Sequence, residues 1–174
     1  AYAYLRKRFP ADDEKPFRRV VQNTATPLGG ALDFESRGFA QLMSRRGRHL
    51  AAQLKELPPT AKLIFSDLDV IWIRDPTPYF VGDCDVWAQT QHREKKLLNP
   101  GFLALRNSIG TSRLLQDWDD RLSRKPQRNL PVFNDAVTAL ADSVSVCALP
   151  PELFLSAKRS FRRPRWSPLR DAKA

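Results

Sequence analysis

The stretch from Leu63 to Phe80, LIFSDLDVIWIRDPTPYF, places two aspartates, Asp67 and Asp69, inside an otherwise apolar run. Ionised carboxylates in such a run are costly unless something pairs with them. In an extended strand, residues i and i+2 point to the same face. The spacing therefore puts both carboxylates where one hard divalent cation can meet them.

The elements around this pair alternate. Upstream, Leu42, Met43, Leu50, Leu54 and Leu57 recur at helical spacing from Phe39, and Pro58 and Pro59 end the run, which predicts an amphipathic helix. Leu63 to Phe65 and Val70 to Ile73 read as strands on either side of an acidic turn, with Asp75-Pro76 and Pro78 as breakers. Cys84 to Thr90 and Gly101 to Arg106 predict further strands. Ser108 to Leu122, through Ile109, Leu114, Leu115 and Trp118, predicts a helix, Val132 to Leu140 a shorter one, and Val144 to Leu149 a buried strand. Strands alternating with helices indicate an α/β sandwich around a mixed or mostly parallel sheet.

Composition bounds the rest. The 174 residues, 42% of them hydrophobic, suffice for one domain with a real core. A net charge of +10 is compatible with nucleic acid, an anionic membrane surface or an acidic substrate. The charge gathers toward the two ends, while Leu63 to Val86 is acidic. Residues 1–157 are read as the domain and residues 158–174 as a basic, flexible tail. No apolar run reaches membrane-spanning length, and the start shows no charged segment followed by an apolar one. No helix-turn-helix, RRM or zinc-finger pattern accompanies the charge, which disfavours nucleic acid. The two cysteines, Cys84 and Cys147, form no CxxC pair, so the expectation is that they remain unbonded.

On residues alone, three readings of the acidic pair are open. The aspartates can cap a turn. They can be the nucleophile and acid of a haloacid dehalogenase phosphatase, although Ile71 stands where that pattern wants Thr or Val and other elements precede the strand. They can also hold a cation at the carboxyl end of a strand, where ligands gather in α/β folds.

The ordered series FSDLDVIWIRDPTPYF, DCDVWAQT, LNPGFLALRNS, QDW, PVFNDAV and LPPELF resembles the nucleotide-diphospho-sugar transferases of GT-A fold. It is especially similar to the plant and algal arabinosyl-, xylosyl- and galactosyltransferase type, over about Phe34 to Ser156. The resemblance implies a Rossmann-type α/β/α sandwich and Mn²⁺ (or Mg²⁺) held by Asp67 and Asp69 on the diphosphate of a UDP-sugar. It implies transfer with retention to a glycan or glycoprotein, with no protein base assigned, and a Golgi lumenal setting with a membrane anchor outside this chain. Asn99 and Gly101 match the Asn-x-Gly that lines the sugar pocket, and Arg46 and Arg48 match a basic contact to the donor. PVFNDAV adds Asn134 and Asp135, the latter otherwise a helix-surface residue. The family's Asp-Gln before PVFN is Asn129-Leu130 here, its later His-x-Asn has no counterpart after Phe154, and AYAYLRKRFP resembles a later helix. The expectation is thus a partial domain lacking its first strand-helix unit. The competing functional reading is a degenerate transferase fold that serves as a basic polyanion- or glycan-binding module.

Overall fold

The computed structural model describes residues 43–67, 69–92, 97–124 and 128–155. The readings of the opening segment and of the basic tail lie outside them. Helix α1 spans Arg46–Lys55 and leads into strand β1, Lys62–Ser66. Then come a short 3-10 turn at Thr77–Tyr79, strands β2 (Val86–His92) and β3 (Leu97–Arg106), helices α2 (Ile109–Arg124) and α3 (Asn129–Ala139), and strand β4 (Val146–Leu149). None of these helices is long and apolar enough to cross a membrane.

The sheet has the order β1-β3-β2-β4 and is mixed, as expected. β3 runs antiparallel to both β1 and β2, while β4 lies parallel to β2. Alternation along the strands divides the core into two faces. Val86, Ala88, Leu103 and Leu105 meet α1, α2 and α3 through Leu50, Leu54, Leu114, Leu115, Trp118 and Phe133. Trp87, Phe102 and Ala104 point to the other face, which Val70, Trp72, Tyr79, Phe80 and Phe154 cover. Ile109, counted in the apolar stripe of α2, is instead 74% exposed, because it opens the helix ahead of the turns that pack.

Two further expectations are corrected. Val70 to Ile73 forms no strand. The chain turns at the acidic pair itself, the Val70 amide donating to Asp67 O at 3.2 Å, so Asp69 lies in the turn rather than on the strand. Trp72 then folds back so that its indole N–H donates to Ser66 Oγ at 3.1 Å and its ring edge meets Phe102. β-branched and aromatic residues here cover a sheet face rather than joining the sheet.

Cys84 and Cys147 are bonded in a disulfide, with their Cα atoms 5.9 Å apart. Cys84 lies just before β2 and Cys147 faces Trp87 from β4, so the parallel pairing unites cysteines 63 residues apart. Replacing both by Ala is expected to cost about 2–4 kcal/mol, from the chain entropy that such a crosslink removes from the unfolded state. Calorimetric unfolding of the variant against the oxidised protein measures it.

Candidate functional site

β1 delivers Asp67 at its carboxyl end, and the β3 backbone receives it. The Asp67 amide donates to Gly101 O at 2.8 Å. β3 is bulged here: Ala88 of β2 faces Leu103, but the next residue, Gln89, faces Asn99. Pro100, Gly101 and Phe102 therefore stand outside the β2–β3 register, as suits a proline that cannot donate to a ladder and a glycine that lets chains approach. The bulge brings Gly101 so close to Asp67 that a Cβ on it would lie 2.7 Å from Asp67 Oδ2.

Helix α1 closes the other side. Arg46 Nη2 meets Asp67 Oδ1 at 2.9 Å, also donates to Met43 Sδ at 3.2 Å, and its guanidinium lies 4.7 Å from the centre of the Phe65 ring. The Arg46 side chain is only 12% exposed, and that of Asp67 34%. Burial pushes the Asp67 carboxyl above the usual carboxylate range; Arg46 pulls it back and Asp69 pushes it further up. Burial likewise lowers the Arg46 pKa, against the attraction of Asp67 and Asp69. Burial is the largest influence on each partner and works against both charges, so the fold holds this ion pair at a desolvation cost.

Asp69 is exposed in the turn that follows. Among the described residues no group of three or more His, Cys, Asp or Glu converges, so what these residues offer a cation here is the carboxylates of Asp67 and Asp69. That set fits a hard divalent ion which takes one or two carboxylates and completes its shell with substrate phosphates and water. Arg46 occupies only Oδ1 of Asp67, and the two carboxylates against one guanidinium leave the site negative.

The other sequence candidates divide. Asn99 is in the site: Gly101 N donates to its Oδ1 at 3.0 Å and its Nδ2 donates to Gln89 Oε1 at 3.0 Å. Arg48 turns the other way, to Asp119 of α2 at 3.1 Å. Residues two apart on a helix lie about 200° apart, so Arg46 and Arg48 cannot serve one site. Asn134 clamps α3 to β3, accepting from Leu98 N at 2.9 Å and donating to Leu98 O at 2.8 Å. Asp135 is exposed on α3. Asn129 opens that helix, and its Oδ1 is buried without a hydrogen-bond partner among the described residues.

This arrangement, an acidic pair at a strand end facing a bulged Asn-Pro-Gly, sits in a chain of which residues 17–171 match the nucleotide-diphospho-sugar transferase family. The chain belongs to that family. The phosphatase reading of the acidic pair is thereby set aside, and the mixed α/β sheet is consistent with a GT-A-like fold. The transferase chain is 27% identical over 190 residues to UDP-D-xylose:L-fucose alpha-1,3-D-xylosyltransferase 3 of Arabidopsis thaliana, covering 95% of itself and 48% of that protein. It is 24% identical over 183 residues to UDP-D-xylose:L-fucose alpha-1,3-D-xylosyltransferase 1 of the same plant, covering 91% of itself and 50% of that protein. The chain spans about half the length of these relatives. No solved structure matches it.

Proposed function

We propose that this chain is the donor-binding part of a glycosyltransferase that moves a sugar, with retention, from a UDP-sugar to a glycan or glycoprotein acceptor. The observation that carries the reading is Asp67 at the end of β1, poised over Gly101 with Asp69 two residues on, in a chain of this family. The donor in the relatives' names, UDP-D-xylose, makes a UDP-pentose the first candidate, and L-fucose is the corresponding acceptor. Asp67 and Asp69 would hold Mn²⁺ or Mg²⁺, which supplies charge neutralisation to a diphosphate and its leaving oxygen.

The chain's own residues do the positioning. Arg46 fixes the Asp67 carboxylate through Oδ1, and Gly101 leaves room against Oδ2 for it to sit on the β3 backbone. Asn99 keeps one amide N–H and one carbonyl lone pair beyond its protein bonds, enough to orient a sugar hydroxyl. The disulfide supports an oxidising lumenal compartment such as the Golgi.

Calorimetric titration of the chain with UDP, with and without Mn²⁺, tests the reading. Binding is expected only with the metal, and Asp69→Ala should weaken it about tenfold, the lower end of what disturbing a metal's surroundings costs. A wild-type chain without metal-dependent UDP affinity would sink the proposal. Salt-sensitive retention on heparin that survives Asp69→Ala would instead favour the polyanion-binding module.

A further inference from the structure

Gln89 is a buried amide, 8% exposed, in the middle of β2. Its Nε2 donates to two backbone carbonyls, Phe154 O at 3.2 Å and Leu155 O at 2.9 Å. Carbonyls only accept, so these two contacts settle which end of the Gln89 amide carries the nitrogen. Its Oε1 must then face Asn99 and can only accept, which forces Asn99 to present Nδ2 toward Gln89. Asn99 Oδ1 is thereby turned to the Gly101 amide, and Gly101 O receives the Asp67 amide. A single polarity thus runs from the segment after β4, through two side-chain amides, to the backbone under Asp67.

We propose that Gln89 is a positioning residue: by gripping the Phe154 and Leu155 carbonyls it fixes the orientation of the Asn99 amide, and with it the donor-hydroxyl contacts and the floor beneath Asp67. The site is therefore built from both sides of the sheet sequence, and the segment at 150–155 is part of its construction. That segment has its own local frame, since Leu153 N and Phe154 N donate to Pro150 O at 3.1 and 2.9 Å and the Phe154 ring packs on Tyr79 and Phe102. Gln89 is what ties this frame to Asn99. The inference rests on the reading of Asp67 and Asn99 as the donor site, but the orientation relay is measurable without a ligand.

Two variants probe the relay from its two ends. Gln89→Met fills the same space and removes both donor and acceptor. It should raise hydrogen exchange at the Gly101 amide about tenfold, although Gln89 does not touch Gly101, and weaken Mn²⁺-dependent UDP binding about tenfold. Asn99→Asp is nearly isosteric and replaces the donor facing Gln89 Oε1 by an acceptor. Gln89 must then turn its nitrogen to the new carboxylate and release Phe154 and Leu155, so the Leu153 and Phe154 amides should exchange faster although residue 99 does not touch them. Exchange is read by amide-resolved NMR on the full chain. Packing alone transmits neither effect, so wild-type exchange at Gly101 in Gln89→Met together with wild-type exchange at Leu153 and Phe154 in Asn99→Asp overturns the proposal. Unchanged UDP affinity in Gln89→Met overturns its extension to the donor. Should the wild-type chain itself bind no UDP with Mn²⁺, the donor-site reading falls, and the two exchange readouts still decide the relay.

Discussion

Gly101→Ala is expected to weaken Mn²⁺-dependent UDP binding by about a hundredfold while leaving the domain folded, a loss of the size that a misplacement of about 1 Å in a positioned group produces. A Cβ at this position would lie 2.7 Å from Asp67 Oδ2, 3.2 Å from Asn99 Oδ1 and 3.5 Å from Asp67 Cγ. The first of these is closer than carbon and oxygen tolerate, so the carboxylate must move. It cannot simply slide away, because Arg46 holds its other oxygen at 2.9 Å and the Asp67 amide is bonded to Gly101 O. The rotation that relieves the clash therefore carries Oδ2 out of the position it holds over Gly101. The backbone itself accepts alanine: among the described glycines only Gly82 has a positive φ, so the effect is steric and local. Thermal unfolding within about 1 kcal/mol of wild type, together with the lost affinity, is the expected pair of results. An alanine variant that keeps its affinity would show that the position of Asp67 over the bulge does not matter to the donor.

The parts of this site that were legible in the sequence are those set by short-range pattern. Asp67 at a strand end follows from carboxylates interrupting LIFS, and the packing stripe of α2 follows from Leu114, Leu115 and Trp118, all fully buried. The same logic misled at Val70 to Ile73, where strand-forming residue types cover a face and Ile71 is 71% exposed. The disulfide was out of reach because only the β2–β4 pairing brings the cysteines together. Gln89 left a faint signal, a lone amide in the buried run VWAQT, which requires partners. Nothing local identifies those partners, since Phe154 and Leu155 are 65 and 66 residues away. Arg46 was named together with Arg48, and helical phase separates the two: one meets Asp67, the other Asp119.

Asp85→Ala is expected to be the most destabilising single substitution discussed, by about 3–6 kcal/mol, with no change in the donor affinity of the molecules that remain folded. The Asp85 carboxylate accepts from Ser108 Oγ at 2.6 Å and from the Ser145 amide at 2.9 Å. Hydrogen bonds to a charged group contribute about 1.5–3 kcal/mol each, which gives the expected sum. Its main chain adds bonds to Ser145 O at 2.8 Å, from the Arg106 amide at 2.9 Å and from Thr111 Oγ1 at 3.0 Å. One residue thus joins the start of β2 to the end of β3, the first turn of α2 and the approach to β4. Ser108 Oγ in turn accepts from the Thr111 amide at 3.0 Å, capping α2, and the negative charge stands at the helix N-terminus, where it is favoured. Gly110 packs against the carboxylate, so that an added Cβ would lie 2.8 Å from Asp85 Cγ. Against a total of about 5–15 kcal/mol for a domain, the loss is about a fifth or more of the stability. Asp85→Asn keeps the volume but offers one acceptor where two donors converge, and should lose about half as much. Urea unfolding of the three proteins ranks them. The position of Asp85 at the amino end of β2, with Gln89 further along the strand, separates this framework from the donor site. The folded fraction of Asp85→Ala should therefore bind UDP with Mn²⁺ as the wild type does, whereas Gly101→Ala should show the reverse.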